Sequence, residues 1–123
     1  MPSRKPPVLV VDDNLDMREA IRDALSVEGY ETEEATDGQT ALHYLSAHPP
    51  PALILLDWNM APMNGPQFMA EFTKLPALSA IPVVLITADA KITTKASSNG
   101  FAGYLKKPID LDALFAIVSR YCR

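Results

Sequence analysis

Uninterrupted apolar runs recur along the chain, and each is short enough to be a single strand. The runs at 8–11, 52–56 and 81–86 contain no charged side chain, which is typical of strands buried on both faces of a parallel sheet. A shorter run at 102–105 predicts another strand. The more polar stretch at 30–35 carries three glutamates and predicts an edge strand whose charges discourage further pairing. The pattern therefore predicts five strands.

Helical spacing of apolar residues follows each predicted strand. The five segments lie between Asn14 and Gly29, between Asp37 and Pro49, from Gly65 to Leu75, from Ala90 to Asn99 and from Asp110 onward. The fourth has an apolar stripe of only Ile92 and Ala96, so we expect a marginal, mobile helix there. Asn14, Asp37 and Gly29 have the usual capping and stop chemistry. Strand and helix thus alternate five times, which predicts an α/β fold with a doubly wound, five-stranded parallel sheet.

Length and charge narrow the classes of function. The 123 residues predict a single domain, 1–123, with an extended lead-in at 1–7. A net charge of −4 argues against a direct nucleic-acid partner. No apolar stretch is long enough for a membrane span or a secretory signal, and the single cysteine, Cys122, excludes an intrachain disulfide. These features favour a cytoplasmic protein with neither a membrane nor a nucleic-acid partner.

Polar residues stand where the predicted strands end. They are Asp12 and Asp13 after the first strand, Asp57 after the third, Thr87 after the fourth, and Lys106 and Lys107 after the fifth. Right-handed crossovers make the strands parallel, so their carboxyl ends share one rim. Three carboxylates there would repel one another unless a hard cation such as Mg²⁺ bound between them. An ammonium and a hydroxyl opposite would complete a phosphoryl site with a carboxylate nucleophile.

Four motifs occur in a fixed order along the chain. They are Val10-Val11-Asp12-Asp13-Asn14, Leu56-Asp57 with Met60 and Gly65 downstream, Ile86-Thr87-Ala88, and Gly100 with Tyr104-Leu105-Lys106-Lys107-Pro108. With these motifs the chain resembles, over essentially its whole length, the receiver domain of bacterial two-component response regulators. The resemblance implies a flavodoxin-like fold with strand order 2-1-3-4-5 and a cis peptide before Pro108.

The resemblance also implies a role for each residue of the rim. Asp57 would be the phosphoacceptor, and Mg²⁺ would bind Asp12, Asp13, Asp57 and the backbone carbonyl of Asn59. Lys107 would be the functional lysine, because in the family that lysine directly precedes the proline. Thr87 would be the switch hydroxyl and Tyr104 the switch aromatic, although Tyr104 could also be ordinary core packing.

The resemblance further implies partners for the chain. A histidine kinase or histidine phosphotransfer protein would donate the phosphoryl group. The face formed by the fourth helix, fifth strand and fifth helix would bind a downstream protein. The domain would catalyse only its own phosphorylation and dephosphorylation, and would not otherwise be an enzyme.

Three other interpretations remain at this point, one of Asp57 alone and two of the whole chain. An aspartate after a strand often only caps a turn. A phosphatase of the haloacid dehalogenase type also uses a strand-end aspartate with Mg²⁺, but its Asp-x-Asp motif needs a carboxylate where this chain has Asn59. A flavodoxin-like cofactor-binding module would need a phosphate loop rich in Ser, Thr or Gly, whereas the first loop here is acidic and would repel a flavin phosphate.

A few residues outside the motifs carry separate expectations. Ala61 stands where the family commonly has proline, and Pro62 follows, so the resemblance does not extend to the detailed path of this loop. Gly65 keeps the spacing of the family, so the assignment of Asp57 is unaffected. His43 and His48 are expected on the solvated surface rather than in a phosphorelay. Trp58 is expected to be partly exposed beside the site, and Cys122 to be a small buried hydrophobe.

Overall fold

The structure is a computed structural model that describes residues 6–61, 63–78, 80–93 and 100–122. Its strands are Val8–Val11 (β1), Thr32–Ala35 (β2), Leu53–Asp57 (β3), Val83–Thr87 (β4) and Gly103–Lys106 (β5). Its helices are Leu15–Val27 (α1), Gly38–Ala47 (α2), Gly65–Phe72 (α3), Ala90–Thr93 (α4) and Leu111–Tyr121 (α5). Every predicted strand is present, and a helix begins in every predicted helical segment.

The five strands form one parallel sheet in the order β2-β1-β3-β4-β5, which confirms the implied topology. The polar strand β2 lies at an edge, as predicted. The register aligns Val11 with Leu56 and Asp57 with Ile86, so β1, β3 and β4 end close to one another. The order reverses between β1 and β3, and in such sheets ligands bind at the strand ends next to this reversal.

Helices cover both faces of the sheet. Alternate residues of β3 point to opposite sides, since Ile54 packs with α2 and α3 whereas Leu55 packs with α1 and α5. The central strands β1, β3 and β4 are buried along their whole length, which explains why their sequences lack the alternation of a half-exposed strand. The doubly wound arrangement is therefore confirmed.

Capping side chains set the helix starts. Asn14 accepts a hydrogen bond from the backbone of Met17, and Asp37 does the same from Thr40, so both predicted caps are confirmed. Asn64 and Gln67 form a reciprocal capping box before α3 that the sequence reasoning did not identify. This box fixes the chain where the loop after β3 enters the helix.

Some predicted boundaries were wrong. Helix α3 ends at Phe72 and so stops short of Leu75, where the following Pro76 disfavours helical geometry. Strand β4 starts at Val83, since Pro82 has no backbone N–H to donate within a sheet, and it includes Thr87. Strand β2 starts at Thr32 rather than at position 30, and β5 is shifted by one residue.

Three expectations fall wholly or partly on residues outside the described ranges. They concern most of the lead-in, Pro62 and the second half of the fourth helical segment. Within the described residues, α4 begins at Ala90 as predicted. No helix in the described part of the chain has the length and apolar character needed to cross a bilayer.

Candidate active site

Three aspartates converge at the carboxyl ends of β1 and β3. Asp57 is the last residue of β3 and is 3% exposed, and Asp12 directly follows β1 and is 1% exposed. Asp13 is the exposed member of the group. One carboxylate oxygen from each lies within 4.8 Å of the others. The acidic cluster predicted from the strand ends is therefore present.

Lys107 provides the positive charge opposite these carboxylates. Its Nζ donates a hydrogen bond to Asp57 Oδ1 at 3.1 Å and lies 3.9 Å from Asp12 Oδ2. The backbone N–H of Lys107 donates to the carbonyl of Thr87 at 2.9 Å, which holds the end of β5 against β4. The peptide bond between Lys107 and Pro108 is cis, as the resemblance implied, and Lys106 is exposed.

One carboxylate oxygen of Asp12 is hydrogen-bonded and the other is not. Its backbone N–H donates to the carbonyl of Ala35, and its Oδ1 accepts from the backbone N–H of Asn14 at 2.9 Å. Among the described residues, Asp12 Oδ2 is the only buried side-chain oxygen or nitrogen without a hydrogen-bond partner. A buried carboxylate oxygen left this way is costly unless a cation approaches it. The all-carboxylate donor set suits a hard cation such as Mg²⁺, so the residues fit the expected metal.

The burial of the cluster changes its titration. Burial raises the pKa of Asp57, and the nearby Asp12 carboxylate raises it further, whereas the hydrogen bond from Lys107 lowers it. Burial also raises the pKa of Asp12, and the backbone N–H of Asn14 is the main opposing influence. Without a cation, the fold therefore disfavours the ionised forms of both groups.

The loop after Asp57 folds back so that Gly65 lies against the backbone of Asp57 and Trp58. The backbone N–H of Trp58 donates to the carbonyl of Ile86, and that of Gly65 donates to the carbonyl of Trp58 at 3.0 Å. A Cβ atom at Gly65 would lie 3.1 Å from the Trp58 Cα and 3.2 Å from the Asp57 carbonyl oxygen. The absent side chain at position 65 therefore lets the loop close tightly behind the aspartate.

Comparison with known proteins identifies the family. The family model described as the response regulator receiver domain matches residues 8–119. The chain is 37% identical over 115 residues to the regulatory protein AtoC of Escherichia coli (strain K12), covering 92% of this chain and 24% of that protein. It is 37% identical over 119 residues to the sensor histidine kinase TmoS of Ectopseudomonas mendocina, covering 95% of this chain and 12% of that protein.

A solved structure agrees with the sequence comparisons. The chemotaxis protein CheY4 of Vibrio cholerae superposes with a TM-score of 0.85 at 27% identity, covering 96% of this chain and 99% of that one. The chain belongs to the response regulator receiver family. It is a receiver domain of two-component signalling, and such domains bind Mg²⁺ at an acidic pocket. In this receiver domain the acidic pocket is formed by Asp12, Asp13 and Asp57.

The remaining predicted site residues occupy different parts of the receiver domain. Thr87 is buried at the end of β4, and its Oγ1 accepts from the backbone N–H of Asp89 at 3.1 Å. Tyr104 lies on β5 with its side chain 51% exposed, so it is not packed in the core. Asn59 is exposed in the loop two residues after Asp57. The aspartates and Lys107 thus meet directly, and Thr87 lies on the same rim at the end of β4, paired with Lys106. Tyr104 is further from the aspartates, on the exposed side of β5.

The expectations for residues outside the motifs are largely met. His43 and His48 are exposed, as predicted, and His48 stacks on the ring of Tyr44. Trp58 is half-buried and its ring packs against Phe101, as expected for a residue beside the site. Cys122 is only partly buried against the apolar core between the sheet, α1 and α5, so the expectation of a buried residue was too strong.

Sequence reasoning missed Arg18, which reaches the site from α1. Its Nη1 donates to the backbone carbonyl of Asp12 at 2.7 Å, and its Nε donates to Glu34 Oε1 at 3.1 Å. The available signal was its position one helical turn after the cap residue Asn14, on the side of α1 next to the acidic strand β2. Neither strand pattern nor motif indicated which carbonyl it would bind.

The raised pKa of Asp57 predicts a more stable Asp57→Asn variant when Mg²⁺ is absent. A raised pKa means that the folded state binds its proton more tightly than the unfolded chain, so stability is lost as the pH rises through the folded pKa. At pH 7 the neutral amide should therefore increase the free energy of unfolding by about 1 to 2 kcal/mol. The gain should shrink as the pH falls toward the ordinary carboxyl pKa of 3.8. Urea denaturation of both proteins across this range measures it, and a less stable variant at pH 7 would contradict it.

Proposed function

We propose that Asp57 accepts a phosphoryl group from a phosphohistidine on a histidine kinase or histidine phosphotransfer protein. The observation that carries this proposal is the pairing of Asp57 with a lysine beside a second buried carboxylate. Asp57 is held by Lys107 Nζ at 3.1 Å, beside a buried Asp12 oxygen that has no hydrogen-bond partner. A turn-capping aspartate would need neither an ion pair with a partly buried lysine nor a second buried carboxylate beside it.

The transfer exchanges one bond to phosphorus for another. A carboxylate oxygen of Asp57 attacks the phosphorus, the new O–P bond forms, and the N–P bond breaks with its electron pair returning to the donor's imidazole. Lys107, within hydrogen-bond distance of Asp57, is placed to stabilise negative charge on the phosphoryl oxygens. Mg²⁺, held by Asp12, Asp13, Asp57 and the Asn59 carbonyl, would supply further charge neutralisation. The same groups would support dephosphorylation of Asp57. The domain would then catalyse only its own phosphorylation and dephosphorylation.

The phosphoryl group would alter the contacts of the neighbouring strand. It adds about −1.5 to −2 charges and strong acceptor oxygens at the end of β3. The Thr87 hydroxyl, at the end of the adjacent strand, would exchange its present bond from the Asp89 N–H for one to the phosphoryl group. Its movement would vacate space into which the exposed ring of Tyr104 turns. The face formed by α4, β5 and α5 would then bind the downstream protein, with a coupling free energy of about 1 to 3 kcal/mol.

Hydrogen exchange tests this route. Binding of beryllofluoride, a stable phosphoryl mimic, should change amide protection in the segments 87–93 and 100–107 as well as in the loop after Asp57. The reason is that the backbone of Lys107 is hydrogen-bonded to Thr87, so β4 and β5 move together. The Asp57→Asn variant, which lacks the acceptor carboxylate, serves as the control. Protection changes confined to residues 57–65 would rule out the proposed route.

Acetyl phosphate with Mg²⁺ distinguishes the proposed receiver from the two other classes that share its fold features. A receiver gains one acid-labile phosphoryl group per chain. A phosphatase of the haloacid dehalogenase type releases phosphate continuously, and a flavin-binding module stays unmodified. Intact-mass measurement combined with a phosphate-release assay separates the three results. An unmodified chain in the presence of excess Mg²⁺ would refute the proposal.

A further inference from the structure

Arg18 connects the acidic loop to the neighbouring strand. The guanidinium is largely buried, with its side chain 11% exposed, and it donates to two acceptors at once. One acceptor is the Asp12 carbonyl at 2.7 Å, and the other is the Glu34 carboxylate on β2 at 3.1 Å. Glu34 is itself held on its second oxygen by Arg22 at 3.4 Å. Arg18 is held by its own two acceptors, Asp12 and Glu34, and therefore has little freedom to move.

The bond to the Asp12 carbonyl has a direct geometric consequence. That carbonyl belongs to the peptide plane joining Asp12 to Asp13, so holding it fixes the direction in which the chain enters Asp13. The other side of Asp12 is already fixed by its N–H bond to Ala35 and its side-chain bond from Asn14. Arg18 thus supplies the remaining constraint on this turn. Asp13 is exposed, so packing around its own side chain contributes little to its placement.

We propose that Arg18 is a positioning residue that orients the Asp12 and Asp13 carboxylates toward Asp57 for Mg²⁺ binding. The inference rests on the proposed function, since it concerns the same site. Arginine suits this role better than lysine, because its planar fork can bind a carbonyl and a carboxylate together. Groups that orient metal ligands without touching the metal commonly contribute about 10- to 100-fold to metal affinity.

Position and charge predict opposite effects when Arg18 is replaced. Arg18 is a cation close to the cluster, and its charge lowers the pKa of Asp12. If charge were its whole influence, removing it would make the pocket more negative and would tighten Mg²⁺ binding. If Arg18 orients the ligands, removing it weakens Mg²⁺ binding despite the gain in negative charge. The direction of the change therefore separates the two roles.

The experiment titrates the full chain with Mg²⁺ alone and follows the fluorescence of Trp58, which lies beside the site. Arg18→Gln is expected to raise the Mg²⁺ dissociation constant about tenfold. Arg18→Lys, which keeps the charge but not the fork, is expected to fall between this variant and the parent. Arg22→Gln is the matched control, because it removes the same charge from the same helix and the same Glu34 partner without touching Asp12. Its dissociation constant should equal that of the parent.

A second measurement separates orientation from general damage. The rate of phosphorylation by acetyl phosphate should return to the parent value for Arg18→Gln at saturating Mg²⁺, with only the half-saturating concentration increased. Glu34→Gln, which retains an acceptor for Arg18, should show a smaller increase and provides a test if Arg18→Gln fails to fold. Equal or tighter Mg²⁺ binding by Arg18→Gln, an equal weakening by Arg22→Gln, or a rate deficit that persists at saturation would each overturn the proposal. A parent chain that binds Mg²⁺ but gains no phosphoryl group would instead refute the proposed function.

Discussion

Asp57→Asn is expected to abolish stoichiometric phosphorylation by acetyl phosphate and Mg²⁺. The amide is a poor nucleophile and carries no charge for a cation, although its size and shape match those of the carboxylate. In the described part of the chain, Lys107 Nζ pairs with two carboxylates, and it is closer to Asp57 Oδ1, at 3.1 Å, than to Asp12 Oδ2, at 3.9 Å. Intact-mass spectrometry of the treated protein, with the parent treated in parallel, measures the loss.

Asp112→Asn is the matched control for this experiment. Asp112 is an exposed residue in the first turn of α5. Its replacement by asparagine removes the same charge at a position away from the acidic pocket. Its phosphoryl adduct should equal that of the parent. An undiminished adduct on Asp57→Asn would show that another side chain accepts the phosphoryl group, and the assignment of Asp57 would then be wrong.

Asp13→Ala is expected to lose most of the response to Mg²⁺. Asp13 is the exposed carboxylate of the cluster, so its removal deletes a ligand without leaving a buried cavity. Affinity for a hard cation depends on the number of anionic oxygens, and the dissociation constant should rise by at least about tenfold. Trp58 is half-buried against Phe101 next to the site, so its fluorescence should report the binding.

Asp16→Ala provides the charge-matched control for Asp13→Ala. Asp16 is an exposed acid three residues further along, in the first turn of α1, and it is outside the cluster of three carboxylates. It should titrate with Mg²⁺ like the parent. If Asp13→Ala also titrated like the parent, Asp13 would not be a metal ligand and the proposed magnesium shell would need a different donor.

The central features of the fold could be predicted because burial dictates composition locally. Strands such as β1 and β3 are covered on both faces, and only continuous apolar runs meet that condition. Parallel pairing then brings Asp12 and Asp57 to one rim whatever the details of the loops. The choice of Lys107 over Lys106, by contrast, depended on the family resemblance, because both lysines follow the same short strand.

Some features that sequence reasoning missed depend on contacts between distant segments, and one is a local helix boundary. Arg18 binds a backbone carbonyl, which has no signature in the sequence because every residue has one. The end of α3 at Phe72 reflects competition between helical spacing through Leu75 and the restriction imposed by Pro76, and spacing alone does not decide it. The outward orientation of Tyr104 likewise follows from which face of the edge strand β5 is covered.

The contact between Asp57 and Lys107 joins residues 50 positions apart, and this separation affects how the domain is made. Strands β1, β2 and β3 pair among themselves, so this part of the sheet contains only residues up to Asp57 and can form early during synthesis. Lys107 reaches the site only once β5 has been synthesised and has paired with β4. The acidic pocket is therefore completed only after most of the domain has been synthesised, and a nascent chain ending before β5 has its aspartates without the lysine that phosphoryl transfer needs.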